Sequence, residues 1–196
     1  MFLAVAGSAQ AQVPATLGTP VDPARAWTSI SMGAIPRVAG QVDSVFIDRQ
    51  RPELTVTGGD WVSYLMARLG ALPIPEGSGV RVAVDSTRIV VEGRIMDLPP
   101  ETRNLFGPML LLMDTASVMR AEVIVGPSGP GVVRFVLGTV IVNGFPIPES
   151  ILAPFFQRVG ARYAVLTKTG RELLVGIPPD ARVTLVPDGV RLWIEG

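Results

Sequence analysis

Four carboxylates that flank hairpin-like segments are the first candidates for chemistry in this sequence. Asp85 and Glu92 border one hairpin, and Asp188 and Glu195 border another. Two carboxyl groups that face one cleft at a fixed separation would suit glycoside hydrolysis. These acids fall at turns and strand ends, where contact with water accounts for them. We therefore assign no catalytic residue and do not expect an enzyme.

Two further motifs match part of a chemical signature without completing it. Residues 126–131 are glycine-rich, but Pro127 and Pro130 remove backbone N–H donors that a phosphate cradle needs. Lys168-Thr169-Gly170 matches an element of β-lactamases, but Lys168 is the single lysine, so the Ser-x-x-Lys nucleophile is missing. The chain also has no histidine and no cysteine, which removes imidazole and thiolate chemistry. We expect no cofactor and no metal.

Three apolar segments carry more information than any polar motif. Residues 105–113 hold seven large apolar side chains in nine positions, interrupted by Gly107 and Pro108. A surface helix has a polar face, and this segment has none, so it is plain core, lines an apolar cavity or touches lipid. Residues 132–142 are apolar on both faces of a strand, and residues 145–156 are rich in phenylalanine. For these two segments the alternatives are plain core and the lining of an apolar cavity.

Candidate ligand-binding residues come from these segments and from one amphipathic helix. The apolar candidates are Trp61, Leu65, Phe106, Met109, Leu110, Leu112, Met113, Phe135, Phe145, Leu152, Phe155 and Phe156. Apolar contact would supply affinity at roughly 25 cal/mol per Å² of surface removed from water. Arginines at the mouth of such a groove would bind a phosphate or carboxylate head group, and Arg94, Arg103 and Arg158 are the candidates.

Strand patterns dominate the elements that must position these side chains. Residues 80–84 and 88–92 alternate around a three-residue turn and predict a hairpin. Further strands are predicted at residues 42–47, 54–57, 119–125, 132–142, 163–166, 172–175, 182–186 and 190–194. Their short connections imply antiparallel neighbours.

Three helices are predicted between these strands. Residues 60–69 have apolar side chains at helical spacing and follow a capping-box pattern that begins at Thr57. A second helix opens at residues 99–101, and Pro108 should kink or restart it. A third runs from about 149 to Gly160, and Pro154 predicts a kink or a shorter helix.

Length and charge limit the class of protein. A chain of 196 residues fits one domain or two small ones, and we expect a single α+β domain at 42–196. Residues 12–41 read as a linker rich in proline and glycine, followed by a first segment. With 17 basic and 17 acidic residues, the net charge of zero offers no positive field for nucleic acid. No apolar run reaches the ~18–20 residues of a membrane helix.

The N-terminal residues indicate export. Residues 1–11 combine a short apolar run with Ala9 and Ala11 in an A-x-A arrangement, which predicts a signal peptide cut after Ala11. The basic n-region is missing and the apolar stretch is short, which a start codon placed too far downstream would explain. A disordered alanine-rich terminus is the alternative. We expect an exported protein of the periplasm or cell envelope.

From residue 42 to 196 the order of these features resembles the bacterial members of the tubular lipid-binding (TULIP) superfamily. A helix at 57–69 precedes the hairpin at 80–93, and an apolar helical stretch and long strands follow. The segment 143–148 then leads to a further helix, and a second hairpin of similar sequence closes the chain. The resemblance implies a long, curved antiparallel sheet wrapped on two or three helices. It also implies an apolar groove for acyl chains, in a protein exported to or anchored at the envelope.

Two functional hypotheses follow. The first is an exported carrier that binds lipid or another apolar small molecule in a groove between sheet and helices. Peripheral membrane contact is compatible with it, and nucleic acid is not an expected partner. The alternative is a β-rich envelope interaction or assembly module, which binds a protein partner or itself through residues 105–113 or a strand edge. The sequence does not predict the oligomeric state.

Overall fold

The computed structural model describes residues 26–70, 77–98, 100–107, 114, 116–126, 129–163, 167 and 169–195. These residues form the predicted α+β fold, in which a large antiparallel sheet packs against helices. Several predictions fall outside the described residues: the signal peptide at 1–11, the linker up to residue 25, the strand residues 164–166, and Met109, Leu110, Leu112 and Met113.

The helices are α1 (Ala34–Phe46), α2 (Gly58–Arg68), α3 (Pro100–Phe106) and α4 (Glu149–Arg162), with a short 3-10 turn at Ile95–Asp97. The strands are β1 (Thr28–Ser29), β2 (Glu53–Thr57), β3 (Arg81–Val84), β4 (Arg88–Arg94), β5 (Val118–Gly126), β6 (Val132–Val142), β7 (Phe145–Pro146), β8 (Glu172–Gly176), β9 (Ala181–Val186) and β10 (Gly189–Ile194). Most of the predicted strands and all three predicted helices are therefore present.

The strands form two antiparallel sheets. In the large sheet the order is β1-β3-β4-β5-β6, and both β7 and β8 pair with the far edge of β6. The register of the β5–β6 ladder shifts between Ala121 and Val123, and the sheet does not close into a barrel. The second sheet has the order β2-β10-β9. The 11-residue strand β6 thus pairs with three strands, β5, β7 and β8.

The two faces of the large sheet differ in chemistry. Because side chains alternate along a strand, the paired residues Ile89, Val123 and Leu137 all lie on one apolar face, which we call the inner face. The opposite, outer face carries charged side chains, among them a buried Glu92. Strand β6, predicted to be apolar on both faces, carries Arg134 outward, where it pairs with Glu172 at 3.8 Å.

Two apolar clusters fill the fold. The main core lies between α1, α2, the inner face and the second sheet, and its fully buried members include Val38, Val82 and Leu192. The smaller cluster holds Phe106 and Phe156 with Val140 and Leu152, and joins α3 and α4 to the end of β6. Helices thus cover the inner face in two separate patches.

Helix α1 replaces a predicted strand. Residues 42–47 were predicted as a strand on their β-branched composition, and that prediction is wrong, because residues 42–46 complete α1. Its buried residues Ala34, Val38, Val42 and Val45 recur at the spacing of one helical face. Packing of that face against α2 and β10 outweighs the local strand preference. The boundary predicted at residue 42 falls inside this helix.

Helix α4 passes through Pro154 and Gly160 and ends at Arg162, so it is longer than predicted. A proline removes the hydrogen bond to the carbonyl four residues earlier, here that of Ser150. Pro154 and Ser150 are both exposed, so water can bind that carbonyl. Tyr163, predicted to begin a strand, is the C-cap of the helix.

Helix α1 contains a residue that lowers its stability. Gly40 lies in the helix interior, is exposed, and has no atom within 4 Å of the position that a Cβ would take. We expect Gly40→Ala to raise the free energy of unfolding by about 0.5–1 kcal/mol, because alanine has less backbone freedom to lose on folding. Urea denaturation would measure the change. A loss of stability in this variant would contradict the helical assignment of residues 34–46.

Candidate functional site: an apolar cleft on the inner face

An apolar cleft of about 210 Å³ opens on the inner face of the large sheet, between α2 and the turn before β8. We call it the inner cleft. It is lined by Val62, Leu65, Met66, Leu69, Ile89, Val91, Val123, Phe135, Leu137, Gly170, Arg171 and Leu173. The cleft occupies the strip of inner face between the two helix-covered patches.

One wall of the inner cleft is a single stripe of helix α2. Its side chains recur at the i, i+3, i+4 and i+7 spacing that places residues on one helical face. The Thr57 hydroxyl caps the helix by accepting a hydrogen bond from the Asp60 amide at 3.3 Å, and Asp60 pairs with Arg37 of α1 at 2.9 Å. Trp61 packs beneath the wall, with its ring 6.2 Å from that of Phe135. These contacts fix the helix over the sheet.

Strand pairing supplies the floor. Ile89, Val123 and Leu137 are cross-strand neighbours on β4, β5 and β6. Phe135 pairs with Leu173 where β8 joins β6. The floor is part of the central ladders of the sheet and is therefore as rigid as they are. The alternation of side chains along each strand determines which residues form it.

Arg171 is the one charged group among the described residues that line the inner cleft. Its Nη1 donates to Glu149 Oε1 at 2.5 Å, and its Nη2 donates to the Leu137 carbonyl at 3.3 Å. The guanidinium lies 5.4 Å from the centre of the Phe156 ring, which suits a cation–π contact. Its Nε is buried and has no hydrogen-bond partner.

A tight turn places Arg171 at the cleft. The Gly170 amide donates to the Thr167 carbonyl at 2.8 Å, and the Arg171 carbonyl accepts from the Leu137 amide at 2.8 Å. Gly170 has a φ of +68°, and both it and Gly160 of α4 lack the Cβ that would separate the turn from the helix. This close approach holds the guanidinium between α4 and the sheet.

Two further cavities adjoin Arg171. A groove of about 610 Å³ lies along α4 and is lined by Val136, Glu149, Ala153, Phe156, Gln157, Thr169, Arg171 and Glu172. A cavity of about 340 Å³ lies nearer the β6–β7 end and also includes Glu149 and Phe156. Arg171 is the residue that these two cavities share with the inner cleft.

The described apolar residues that the sequence singled out lie in four places. Trp61 is buried in the main core and does not line the inner cleft. Leu65 and Phe135 line the inner cleft. The second cluster contains Phe106, Leu152, Phe155 and Phe156, in which the Phe106 and Phe155 rings stack at 4.5 Å. Phe145, on β7, is 74% exposed and belongs to neither cluster.

The three arginines chosen as head-group candidates do not line the inner cleft. Arg94 pairs with Asp97 at 2.9 Å beyond the end of β4. Arg103 donates to the Met96 sulfur at 3.4 Å, and Arg158 lies against Gly107 at the end of α3. Sequence reasoning missed Arg171, whose one signal is its position between the turn residue Gly170 and an apolar strand.

The flanking carboxylates have structural partners rather than a shared cleft. Asp85 accepts hydrogen bonds from the Thr87 amide at 2.6 Å and the Arg88 amide at 2.9 Å, so it builds its own turn. Glu195 pairs with Arg182, and Asp188 accepts from the Ala26 amide at 3.4 Å. Our expectation that contact with water accounts for these acids is wrong for Asp85 and Glu92, which are both buried.

Glu92 is a buried carboxylate on the outer face that forms two ion pairs. It is 7% exposed and accepts hydrogen bonds from Arg81 at 2.6 Å and from Arg120 at 2.6 Å, on the two neighbouring strands. Burial by itself would raise the pKa of Glu92, but the hydrogen bonds from Arg120 and Arg81 outweigh it and hold the pKa below its ordinary value. The three residues stabilise the sheet.

An open antiparallel sheet with one helix-covered apolar face defines the class of fold, and the inner cleft is its candidate ligand site. No protein-family model, curated protein or solved structure matches the chain. None of the helices in the described part of the chain has the length and apolarity needed to cross a bilayer. Within the same ranges, no three acidic side chains gather as a metal site would require.

Proposed function

We propose that the protein binds lipid or another apolar small molecule in the inner cleft. The observation that carries this proposal is the composition of the cleft lining. Eleven of its twelve residues are apolar or glycine, and they come from α2 and its C-cap, from four strands and from the turn before β8. Apolar surface of this kind is favourably removed from water by a ligand that fits it.

The volume of the inner cleft limits the ligand. Pockets for drug-sized molecules measure about 300–1,000 Å³, and the inner cleft measures about 210 Å³. It therefore seats one short apolar chain or the end of a longer one. Each methylene that enters contributes about 0.8 kcal/mol. Affinity should thus rise about fourfold per added carbon and level off once the cleft is full.

Filling the cleft is the direct test. Leu173 points into the inner cleft, and its neighbour Leu174 on the same strand is 47% exposed on the opposite face. We expect Leu173→Trp to weaken binding of the neutral fluorophore N-phenyl-1-naphthylamine at least about tenfold, a change of about 1.4 kcal/mol. Leu174→Trp is the matched control and should leave binding within about twofold.

Fluorescence titration of the purified proteins would decide the outcome. Equal binding by wild type and Leu173→Trp would overturn the assignment of the ligand to this cleft. Native mass spectrometry with organic extraction adds an independent readout, because a carrier should retain an apolar ligand through purification. Protein without any ligand, combined with failure to bind the fluorophore, would rule the proposal out.

Export of the protein to the cell envelope and its relationship to the TULIP superfamily are part of the same proposal. Export to the envelope is supported by the A-x-A pattern at Ala9 and Ala11. The TULIP resemblance remains a prediction, supported by the order of the sequence features and by a sheet whose inner face is apolar. Expression of the full chain with a C-terminal tag would test export, since cleavage after Ala11 changes the mass of the mature protein.

Binding to another protein is the second candidate function. Phe145 projects from the edge strand β7, and 74% of its surface is exposed. Large aromatic side chains are enriched where proteins bind one another. If this candidate is right, Phe145→Ser should abolish self-association or partner binding in sedimentation experiments and leave fluorophore binding unchanged. If the protein instead carries a ligand in the inner cleft, Leu173→Trp should weaken fluorophore binding and leave self-association or partner binding unchanged.

A further inference from the structure

We infer that Arg171 binds the anionic head group of the ligand, which makes the preferred ligand an amphiphile with a carboxylate or phosphate head and a short apolar tail. This inference rests on the proposed function of the inner cleft. It adds the charge and orientation of the ligand: the tail enters the cleft, and the head stays at its edge.

The position of Arg171 carries the inference. Its side chain borders the inner cleft and also the two adjoining cavities, whose lining is more polar than that of the inner cleft. A tail seated against Leu137 and Leu173 would therefore end next to the guanidinium, because Arg171 hydrogen-bonds to the Leu137 carbonyl and lies two residues from Leu173. The adjoining groove of about 610 Å³ leaves room for the head group.

The donors of Arg171 are incompletely used. A guanidinium offers five N–H donors in a planar fork that matches the two oxygens of a carboxylate or phosphate. Here Nη1 and Nη2 have partners, while the buried Nε has none. An unpaired buried donor is costly, so a turn of the Arg171 side chain that brings Nε to a ligand oxygen would stabilise the bound state.

Glu149 is the group that an anionic ligand would replace. Its carboxylate lies 2.5 Å from Arg171 Nη1, yet 74% of its side chain is exposed. Exposed ion pairs are weak because water solvates both partners well. A ligand whose tail is held in the cleft presents its own oxygens to Arg171 at high effective concentration. Glu149 can then turn into solvent at little cost.

The experiment compares ligands that share a tail and differ in the head. Decanoate, decyl phosphate and the neutral decanol each compete with N-phenyl-1-naphthylamine for the wild-type protein at neutral pH. We expect both anions to bind at least about tenfold more tightly than decanol, the preference that a charge-assisted hydrogen-bond pair supports. Whether decanoate or decyl phosphate binds more tightly identifies the head group.

Two variants locate the effect. Arg171→Gln should bind decanoate about tenfold more weakly and decanol within about twofold of wild type. Glu149→Gln removes the internal competitor and should bind decanoate several-fold more tightly, an increase that a purely structural pair would not produce. Arg191→Gln, which removes the ion pair with Glu53 in the second sheet, is the matched control and should change neither affinity.

The outcomes separate this inference from the proposed function. Equal affinity for decanoate and decanol in wild type would overturn the head-group assignment and leave the apolar cleft in place. An anion preference that persists in Arg171→Gln and does not grow in Glu149→Gln would also overturn it. If neither the fluorophore nor any decyl compound binds, the proposed function itself is wrong. Glu149→Gln keeps the test decisive if Arg171→Gln does not fold.

Discussion

Replacing Gly170 with alanine is expected to lower the free energy of unfolding by about 3 kcal/mol or more. A Cβ at this position would lie 1.8 Å from the Phe156 carbonyl oxygen and 2.9 Å from the Gly160 amide nitrogen. Both are backbone atoms of α4, so no side chain can move aside. The φ of +68° adds strain for any residue with a Cβ. The helix and the turn must separate to accept the methyl group.

Chemical denaturation of Gly170→Ala and Gly176→Ala would test this. Gly176 ends strand β8, into which the turn leads, has no atom within 4 Å of its Cβ position, and should tolerate alanine with little change. Because the same turn holds Arg171 at the inner cleft, we also expect Gly170→Ala to weaken ligand binding. Similar stabilities for the two variants would show that α4 does not pack against the turn as described.

Replacing Glu92 with glutamine is expected to cost about 2 kcal/mol, in the range for hydrogen bonds between charged groups. The change removes the negative charge between Arg81 and Arg120, whose guanidinium groups then face each other across β4. Removing one member of an enclosed charge cluster leaves the others uncompensated. The matched control is Glu195→Gln, because Glu195 pairs with Arg182 across the other hairpin but is 53% exposed. That variant should lose at most about 0.5 kcal/mol.

The dependence on pH gives the Glu92 prediction a second readout. Its pKa in the folded protein lies below the ordinary value of 4.5. The group therefore stabilises the fold above about pH 4.5, and this contribution is lost as the pH falls through the lower folded value. The stability difference between wild type and Glu92→Gln should shrink as the solution is acidified below pH 4.5. A difference that stays constant with pH would contradict the ion-pair assignment.

Local sequence patterns correctly predicted the elements in which the spacing of apolar residues matches the face that is buried. The hairpin of β3 and β4 alternates around Asp85, and the structure places both strands within two residues of the prediction. The apolar spacing of α2 and the Thr57 cap likewise predicted a helix that the structure contains. In each case propensity, periodicity and turn chemistry agree.

Helix α1 shows where local patterns conflict. The β-branched residues near its C-terminal end favour a strand, while the spacing of Val38, Val42 and Val45 favours a helix. The long-range contacts of that face with α2 and β10 decide between them. A count of apolar residues at helical spacing, extended back to Ala34, would have given the correct element.

The sequence predicted that the candidate site is apolar, but it did not predict where in the fold the site lies. Leu65 and Phe135 belong to the inner cleft because their faces follow from the elements that carry them. Phe106 and Phe156 are equally apolar in sequence, yet they belong to the separate cluster between α3, α4 and the end of β6. Arg171 differs from the other arginines only through the tight turn at Gly170, which brings it beside α4. Such tertiary placement has no local signature.

The central place of β10 in the second sheet affects how the protein is made. Arg191 of β10 and Glu53 of β2, 138 residues apart in sequence, form an ion pair between neighbouring strands. Closing so long a loop is slow. Until residue 194 has left the ribosome, Val56 and the apolar faces of α1 and α2 lack their contacts with β10. The second sheet therefore stays incomplete until late in synthesis, and the apolar surface that it will cover is one that a translocase or a holding chaperone can engage.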